Sequence, residues 1–164
     1  MSSTSEVQEK LVGGWSLVSA TAESSNSTTM RSILSPSSTP LWGTNPKGIL
    51  LYTADNYMSV QVVECERDST FSTNDPRGGT RDELAECMKR FTAYSGSFNI
   101  RATDHGELLL EHHVEVCSFP NWTGSVQRRI MELDGNLLLL RTEGPILIEA
   151  CVNSLSFSDM SVIR

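Results

Sequence analysis

Alternation of apolar and polar residues predicts that most of this chain forms β-strands. The clearest hairpin signal covers residues 48–66, where two β-rich runs are joined around Asp55 and Asn56. Further strand-like runs follow one another after residue 91, and the Asp-Gly pair at 134–135 is a strong hairpin turn signal. Consecutive strands joined by short turns predict an all-β fold, an antiparallel up-and-down barrel of about eight strands. Such a barrel is just wide enough to hold one small ligand.

Residues 80–91 have helical periodicity instead. Thr80 and Glu83 have the spacing of a capping box, and the apolar residues that follow recur at three- and four-residue intervals: Leu84, Cys87, Met88 and Phe91. We therefore predict one short helix across or beside an end of the barrel. Ser5 begins a shorter capped helical turn ahead of the first strand.

Two segments are less regular. Residues 25–47 are rich in Ser and Thr and contain Pro36, Pro40 and Pro46, so we predict a long irregular connection. Loops of that length are usually functional or mobile, and this one could act as a lid on the barrel. The last strand is predicted near residues 145–157.

Composition places the whole chain, residues 1–164, in a single domain of a soluble globular protein, with 38% hydrophobic and 20% charged residues. No apolar run approaches the roughly 18 residues of a membrane helix, and the first residues lack a secretory signal pattern. We therefore expect a cytoplasmic protein with reduced cysteines and no membrane partner. The net charge of −7 and the scattered arginines argue against a nucleic-acid partner.

The stretch HHVEVCSFPNWTG, residues 112–124, gathers the residue types of a metal or catalytic site. Successive strand residues point to opposite faces, however. One face is apolar apart from one histidine and consists of Leu108, Leu110, His112, Val114 and Val116. The other face is mostly polar and consists of Leu109, Glu111, His113, Glu115 and Cys117. We expect the first face to point into the barrel, which separates the two histidines. Because zinc needs three or four converging ligands, no metal site is predicted.

The same test on the other strands adds inward candidates. Tyr94 shares an apolar face with Phe98, and Met58 lies on the more apolar face of its strand. Arg129 lies on a strand with two mixed faces, so its orientation stays open. An inward arginine would need a ligand carboxylate, water or a protein carboxylate, and Glu149 is the residue that the last strand offers.

Five stretches together resemble the lipocalin-like domain family of small, single-domain bacterial and fungal proteins. They are LVGGWSLVSA, GILLYTADNYMSVQV, FTAYSGSFNI, HHVEVCSFPNWTG followed by QRR, and LDGNLLLL, and they cover nearly the whole chain in the family's order. The resemblance implies a calycin-type β-barrel with a central cavity. It implies no single activity. Fungal relatives occur among secondary-metabolite genes, where small barrels can act as cofactor-free isomerases or cyclases.

Residue by residue, the resemblance extends to these matching positions: Gly13, Trp15, Gly48, Tyr52, Thr53, Asp55, Met58, Ser59, Tyr94, Gly96, His112, Pro120, Trp122, Gly124, Gln127 and Arg129. The sequence departs from the family pattern in three places. Asn56 stands where a turn glycine is usual, the 25–47 connection is longer, and the last strand carries Glu149 and Cys151 in place of the usual ending.

Two functions from different classes remain open, with a purely structural barrel as a third. The first is a cofactor-independent isomerase or cyclase acting on a hydrophobic secondary-metabolite intermediate. In it His112 would move protons, Tyr94 would donate to a carbonyl or enolate oxygen, and Arg129 would stabilise developing negative charge. The alternative is a non-catalytic carrier, which needs the same cavity but no converging proton donors.

No Rossmann fingerprint, Walker loop or nucleophile elbow is present in the sequence, so no cofactor is expected. The expected partner is a small hydrophobic ligand, and the leucine run at 137–140 would allow a homodimer. Seven further residues are predicted to contact the ligand: Tyr52, Met58, Phe98, Val114, Asn121, Trp122 and Glu149.

Overall fold

A computed structural model describes residues 4–24, 39–40, 45–64, 70–75, 77–143, 148–150 and 153–164, without the side chains of 21–24, 39–40, 148–150 and 153–160. Its strands are β1 (Gly13–Ser24), β2 (Thr39–Pro40), β3 (Pro46–Tyr52), β4 (Tyr57–Glu64), β5 (Phe91–Ala102), β6 (Leu108–Cys117), β7 (Val126–Asp134), β8 (Leu137–Thr142), β9 (Ile148–Ala150) and β10 (Asn153–Ile163). The helices are α1 (Thr4–Leu11) and α2 (Arg81–Arg90), and Pro120–Trp122 form a 3₁₀ turn.

Eight strands close into an antiparallel barrel. They pair in the order β1-β3-β4-β5-β6-β7-β8-β10, and β10 returns to pair with β1. The short strands β2 and β9 are added on β1 and β10. The all-β barrel predicted from the sequence is confirmed. So are its two clearest hairpins, β3–β4 around Asp55 and Asn56 and β7–β8 at the Asp-Gly pair 134–135.

The two ends of the barrel differ. At one end, called the turn end here, short turns join β3 to β4, β5 to β6 and β7 to β8. At the other, the loop end, longer connections join β4 to β5 and β6 to β7, and the first of these includes α2. The connection 25–47, predicted as an irregular lid, lies outside the described residues except for β2 and residues 45–47.

Helix α1 lies against the turn end. Its apolar residues Val7 and Leu11 are buried, and the Leu11 carbonyl accepts a 2.8 Å hydrogen bond from Nε1 of Trp15 at the start of β1. The Gln8 side chain also donates to the Asn56 side chain in the β3–β4 turn. Asn56 has a φ of 68°, a left-handed conformation that asparagine tolerates better than most residues. Asn56 therefore suits a turn position where glycine is usual, and its hydrogen bond with Gln8 links the turn to α1.

Helix α2 begins where the sequence predicts it. The Thr80 hydroxyl accepts from the Glu83 amide at 3.3 Å, and the Glu83 carboxylate accepts from the Thr80 amide at 2.7 Å, which confirms the capping box. None of its residues is buried, and Leu84 and Met88 are exposed. The structure also extends the turn expected at Ser5 into the eight-residue helix α1. The barrel core therefore receives buried side chains from α1 and none from α2.

A β-bulge changes one face of β6. Gly96 of β5 pairs with Val114, but its neighbour Ser95 pairs with Val116, so the register skips Glu115. Val116, predicted to point inward, is consequently 69% exposed. Cys117, predicted to point outward, pairs with Tyr94 and packs against the core. The prediction for these two residues was wrong because an extra residue in one strand inverts the alternation beyond it.

The end of the chain contains two strands where the sequence predicted one. Strand β9 covers Ile148–Ala150, and β10 begins at Asn153 and continues to Ile163. The longer strand pairs with both β1 and β8, and these pairings close the barrel. No helix among the described residues is long and apolar enough to cross a membrane.

Candidate functional site

His112 lies at the centre of a polar cluster inside the barrel and is fully buried. Its Nε2 atom is 3.1 Å from the hydroxyl of Tyr52, and its Nδ1 atom is 3.2 Å from the hydroxyl of Tyr94. The two tyrosines come from β3 and β5, so the three side chains connect strands that are not all neighbours in the barrel. Both ring nitrogens of His112 therefore have protein partners.

Burial keeps this cluster uncharged. Desolvation, with the nearby charges of Arg129 and His113, lowers the pKa of His112 to about 3. Desolvation likewise raises the pKa of Tyr52 and Tyr94 above their ordinary values. At neutral pH the imidazole is therefore neutral and both phenols are protonated.

The number of hydrogens in the cluster has a chemical consequence. A neutral imidazole has one N–H donor and one acceptor nitrogen, and each phenol has one O–H hydrogen. His112 therefore donates to one tyrosine and accepts from the other. The tyrosine that accepts keeps its own hydrogen, which has no further acceptor among the hydrogen bonds of the described residues.

Aromatic and aliphatic side chains surround the cluster. Phe98 meets the Tyr52 ring edge-on at a centroid distance of 5.1 Å, and Met58 and Val114 are buried beside it. Trp122, from the 3₁₀ turn at the loop end, meets the Tyr94 ring edge-on at 6.1 Å. Tyr52 ends β3 at the turn end. Tyr52 is level with Gly96 across β4, and Tyr94 lies two residues nearer the loop end, so Tyr94 and Trp122 form the part of the cluster nearer the loop end.

Arg129 also points inward, which settles the orientation that the sequence left open. It pairs with fully buried Leu110 on one side and with buried Thr142 on the other, and directly paired residues share a face of a sheet. Its guanidinium charge acts on the cluster, since it partly offsets the burial-driven rise in the pKa of Tyr52 and Tyr94. Among the described residues it has no carboxylate partner, and its Nη1 donates to the Arg128 carbonyl at 2.7 Å.

Thr142 belongs to this interior, although the sequence analysis did not single it out. Its side chain is 7% exposed, and its hydroxyl has no hydrogen-bond partner among the described residues. The run LLLLRT contains the signal, because Leu138, Leu140 and Thr142 alternate with residues of the outer face. Cys117 was also missed as an inward residue, because of the bulge.

The structure brings together His112, Tyr94 and five of the seven predicted ligand contacts: Tyr52, Met58, Phe98, Val114 and Trp122. Arg129 lies on the same inner face and interacts with them through its charge. It does not bring Asn121 to the cluster, because that side chain is exposed in the 3₁₀ turn. The side chain of Glu149 lies outside the described residues. Among the residues that the structure describes, no three His, Cys, Asp or Glu side chains converge on a metal-sized site.

On the outer face of the same strands, Glu111 is buried and its negative charge is paired with two arginines. It accepts hydrogen bonds from Arg101 and from Arg128, and the contact with Arg128 is 3.1 Å long. Desolvation would raise its pKa, but the hydrogen bonds from the two guanidinium groups outweigh it and lower that pKa. These two ion pairs lie on the outer surface of the barrel and are not part of the tyrosine–histidine cluster.

Comparison with known proteins agrees with the fold. A segment of the chain is 38% identical over 73 residues to the 4'-hydroxy-3'-methoxypropiophenone carrier protein of Aspergillus oryzae. That segment covers 43% of this chain and 66% of the relative, slightly less than two thirds of its length. No solved structure matches the chain. The sequence model of the lipocalin-like domain matches residues 12–154, and the chain therefore belongs to the lipocalin-like domain family.

Proposed function

We propose that the protein is a carrier that binds a small aromatic ketone in the barrel, beside Tyr94, and releases it unchanged. The observation that carries the proposal is the pairing of both nitrogens of buried, neutral His112 with tyrosine hydroxyls. Such an imidazole meets a ligand only through the two tyrosine hydroxyls, and its lowered pKa makes it a weak proton acceptor at neutral pH. The name of the related carrier supports the ligand class.

Tyr94 is the tyrosine best placed to contact the ligand. It lies nearer the loop end than Tyr52 does, and its ring touches Trp122. If His112 donates from Nδ1, the Tyr94 oxygen accepts that hydrogen and its own O–H is left to donate to a ketone oxygen. Tyr52 then donates to Nε2. Each polar atom in this chain of hydrogen bonds is satisfied only when an acceptor is bound, which favours a carbonyl-bearing ligand.

The aromatic and aliphatic wall suits the remainder of such a ligand. Phe98, Met58 and Val114 are each less than 4% exposed and can cover an apolar ring. Trp122 is only partly buried and lies toward the loop end, where it can pack on a bound ring and move aside for exchange. An apolar wall with an oriented tyrosine donor suits the ring and the carbonyl of an aryl ketone.

An isomerase or cyclase acting on a secondary-metabolite intermediate is the second candidate. The proximity of the Tyr94 hydroxyl and the Arg129 charge favours it, because both could stabilise an enolate oxygen. That chemistry also needs a base, and a histidine with a pKa of about 3 is a weak one at neutral pH. The carrier is therefore the function that the geometry supports better.

The test is a calorimetric titration of the purified protein with 4'-hydroxy-3'-methoxypropiophenone, followed by mass spectrometry of the recovered ligand. Binding at a single site with the ligand recovered unchanged is expected. Tyr94→Phe should weaken binding about tenfold, because it removes one hydrogen bond to the ligand from a buried site. Conversion of the ketone into a new compound would favour the isomerase.

The matched control is Tyr57→Phe, since Tyr57 is 52% exposed on the outer face. This variant should bind like the wild type. Equal binding by the wild type and Tyr94→Phe would show that the ligand does not use the cluster, and the proposal would then be wrong.

A further inference from the structure

Arg129 and Thr142 form a second polar group in the interior, distinct from the tyrosine–histidine cluster. They are directly paired across β7 and β8, which places their Cβ atoms about 5 Å apart. The residues next to them on the same face, Met131 and Leu140, are 2% and 3% exposed. A charged side chain and a hydroxyl thus lie together beside these apolar residues, with Gln127 next to Arg129 on its other side.

Both side chains have unused hydrogen-bonding capacity within the described part of the chain. A guanidinium group carries five N–H donors, and for Arg129 one of them is directed at the Arg128 carbonyl. The Thr142 hydroxyl is buried and without a partner. The neighbouring Tyr52, His112 and Tyr94 are all neutral, so they do not compensate the charge.

We infer that Arg129 and Thr142 form an anion site for the ligand. An inward guanidinium with no carboxylate partner among the described residues is well stabilised by an anionic oxygen of a ligand, which can accept from both the guanidinium and the threonine hydroxyl. The inference rests on the proposed function and narrows the ligand to aromatic molecules with an ionised oxygen, a carboxylate or an acidic phenol. A phenol conjugated with a para ketone belongs to this class, because the carbonyl stabilises the phenolate.

The experiment compares 4-propionylbenzoate with its methyl ester, which has the same aryl ketone but no charge. Affinities are measured by calorimetry at neutral pH for the wild type and for Arg129→Met. The wild type should bind the acid at least about tenfold more tightly than the ester, as expected for hydrogen bonds to a charged group. Arg129→Met should abolish this preference, measured as the ratio of the two affinities. A wild type without the preference, or a variant that keeps it, would overturn the inference.

Arg141→Met is the matched control. Arg141 precedes Thr142 in the sequence, lies on the outer face and forms an ion pair with Glu132. This variant therefore removes a positive charge from the outside of the barrel. It should retain the preference for the acid. Thr142→Val is the second variant, because it replaces the hydroxyl with a methyl group of similar size. It should reduce the ratio of acid affinity to ester affinity about threefold to tenfold.

A further pair of ligands distinguishes a phenolate from a carboxylate. Affinity for 4'-hydroxy-3'-methoxypropiophenone should rise as pH increases and the phenol ionises, whereas 3',4'-dimethoxypropiophenone, which cannot ionise, should show no such rise. An acid preference without this rise would restrict the site to carboxylates.

Failure of this inference can be separated from failure of the proposed function. If the neutral ketones bind but the acid is not preferred, the carrier function stands and the anion site is wrong. If no aryl ketone binds, the proposed function is wrong. The anion site is then tested with two other ligands, 8-anilinonaphthalene-1-sulfonate and N-phenyl-1-naphthylamine, which differ only in the sulfonate. Their affinities are measured for the wild type and for Arg129→Met. A sulfonate preference that depends on Arg129 would support the site, and its absence would overturn it.

Discussion

The hydroxyl of Tyr94 lies 3.2 Å from Nδ1 of His112, and these two residues are 18 positions apart on neighbouring strands. With Tyr52 bound to the opposite nitrogen, the imidazole has no free nitrogen in the described structure. In the proposed carrier its role is to orient hydroxyl groups. Because the imidazole is buried and neutral, this arrangement leads to a measurable pH dependence.

The first prediction is that acid destabilises the protein through His112. Its pKa is about 3 in the folded state and about 6.5 when unfolded, so the unfolded state binds more protons between these values. The free energy of unfolding should consequently decrease as pH falls from about 6.5 to about 3, by an amount of the order of 4 kcal/mol. Urea denaturation at a series of pH values measures this loss.

The comparison is restricted to pH 4.5–6.5, because the lowered pKa values of Glu83, Glu86 and Glu111 cause most of their losses below the ordinary glutamate pKa of 4.5. Within this pH range, His112→Gln should reduce the dependence of the free energy of unfolding on pH. His105→Gln, a change at an exposed turn residue, should leave it as in the wild type. A wild-type stability that is constant from pH 6.5 to 4.5 would contradict a buried, neutral His112.

The second prediction concerns Gly96, which pairs with Val114 beside the bulge. A Cβ atom at this position would lie 1.9 Å from the His113 carbonyl oxygen, a contact with backbone that cannot move without breaking the β5–β6 pairing. Gly96→Ala should therefore lower the free energy of unfolding by at least about 3 kcal/mol. Gly14→Ala is the control, because its Cβ would meet only the Leu51 side chain at 3.4 Å. Similar stabilities for the two variants would show that β5 and β6 do not approach so closely.

The third prediction is that Arg101 and Arg128 substitute for each other beside Glu111. Each guanidinium is about half exposed, so loss of one should cost about 1 kcal/mol while the other still neutralises the buried carboxylate. Replacing both with methionine leaves that carboxylate unpaired and should cost about 3 kcal/mol or more. A double-mutant cycle measured by denaturation tests this, and strictly additive losses would refute it.

Much of the site was predictable because strand alternation has a period of two residues. Alternation alone placed His112, Tyr94, Phe98 and Met58 in the interior, and all four are buried there. The family resemblance added Tyr52. The same rule applied to LLLLRT would have found Thr142.

The remaining features depend on three-dimensional closure. Alternation fails at the bulge, because the apolar pattern of Val114 and Val116 continues across the skipped residue and gives no sign of it. The contact between Tyr52 and His112 joins residues 60 positions apart and requires the barrel to be closed. The orientation of Arg129 likewise followed from its pairing with Leu110, since both faces of its own strand are mixed.

The central claim is that an aryl ketone binds inside the barrel, beside Tyr94. The most direct test is the measurement of intermolecular nuclear Overhauser effects between the protein and 4'-hydroxy-3'-methoxypropiophenone labelled with ¹³C in its methoxy group. We expect contacts with interior protons, including the Met58 methyl group and the rings of Tyr94 and Trp122. Contacts confined to exposed residues such as Val116 and Tyr57 would contradict the claim, because the ligand would then lie on the outside of the barrel.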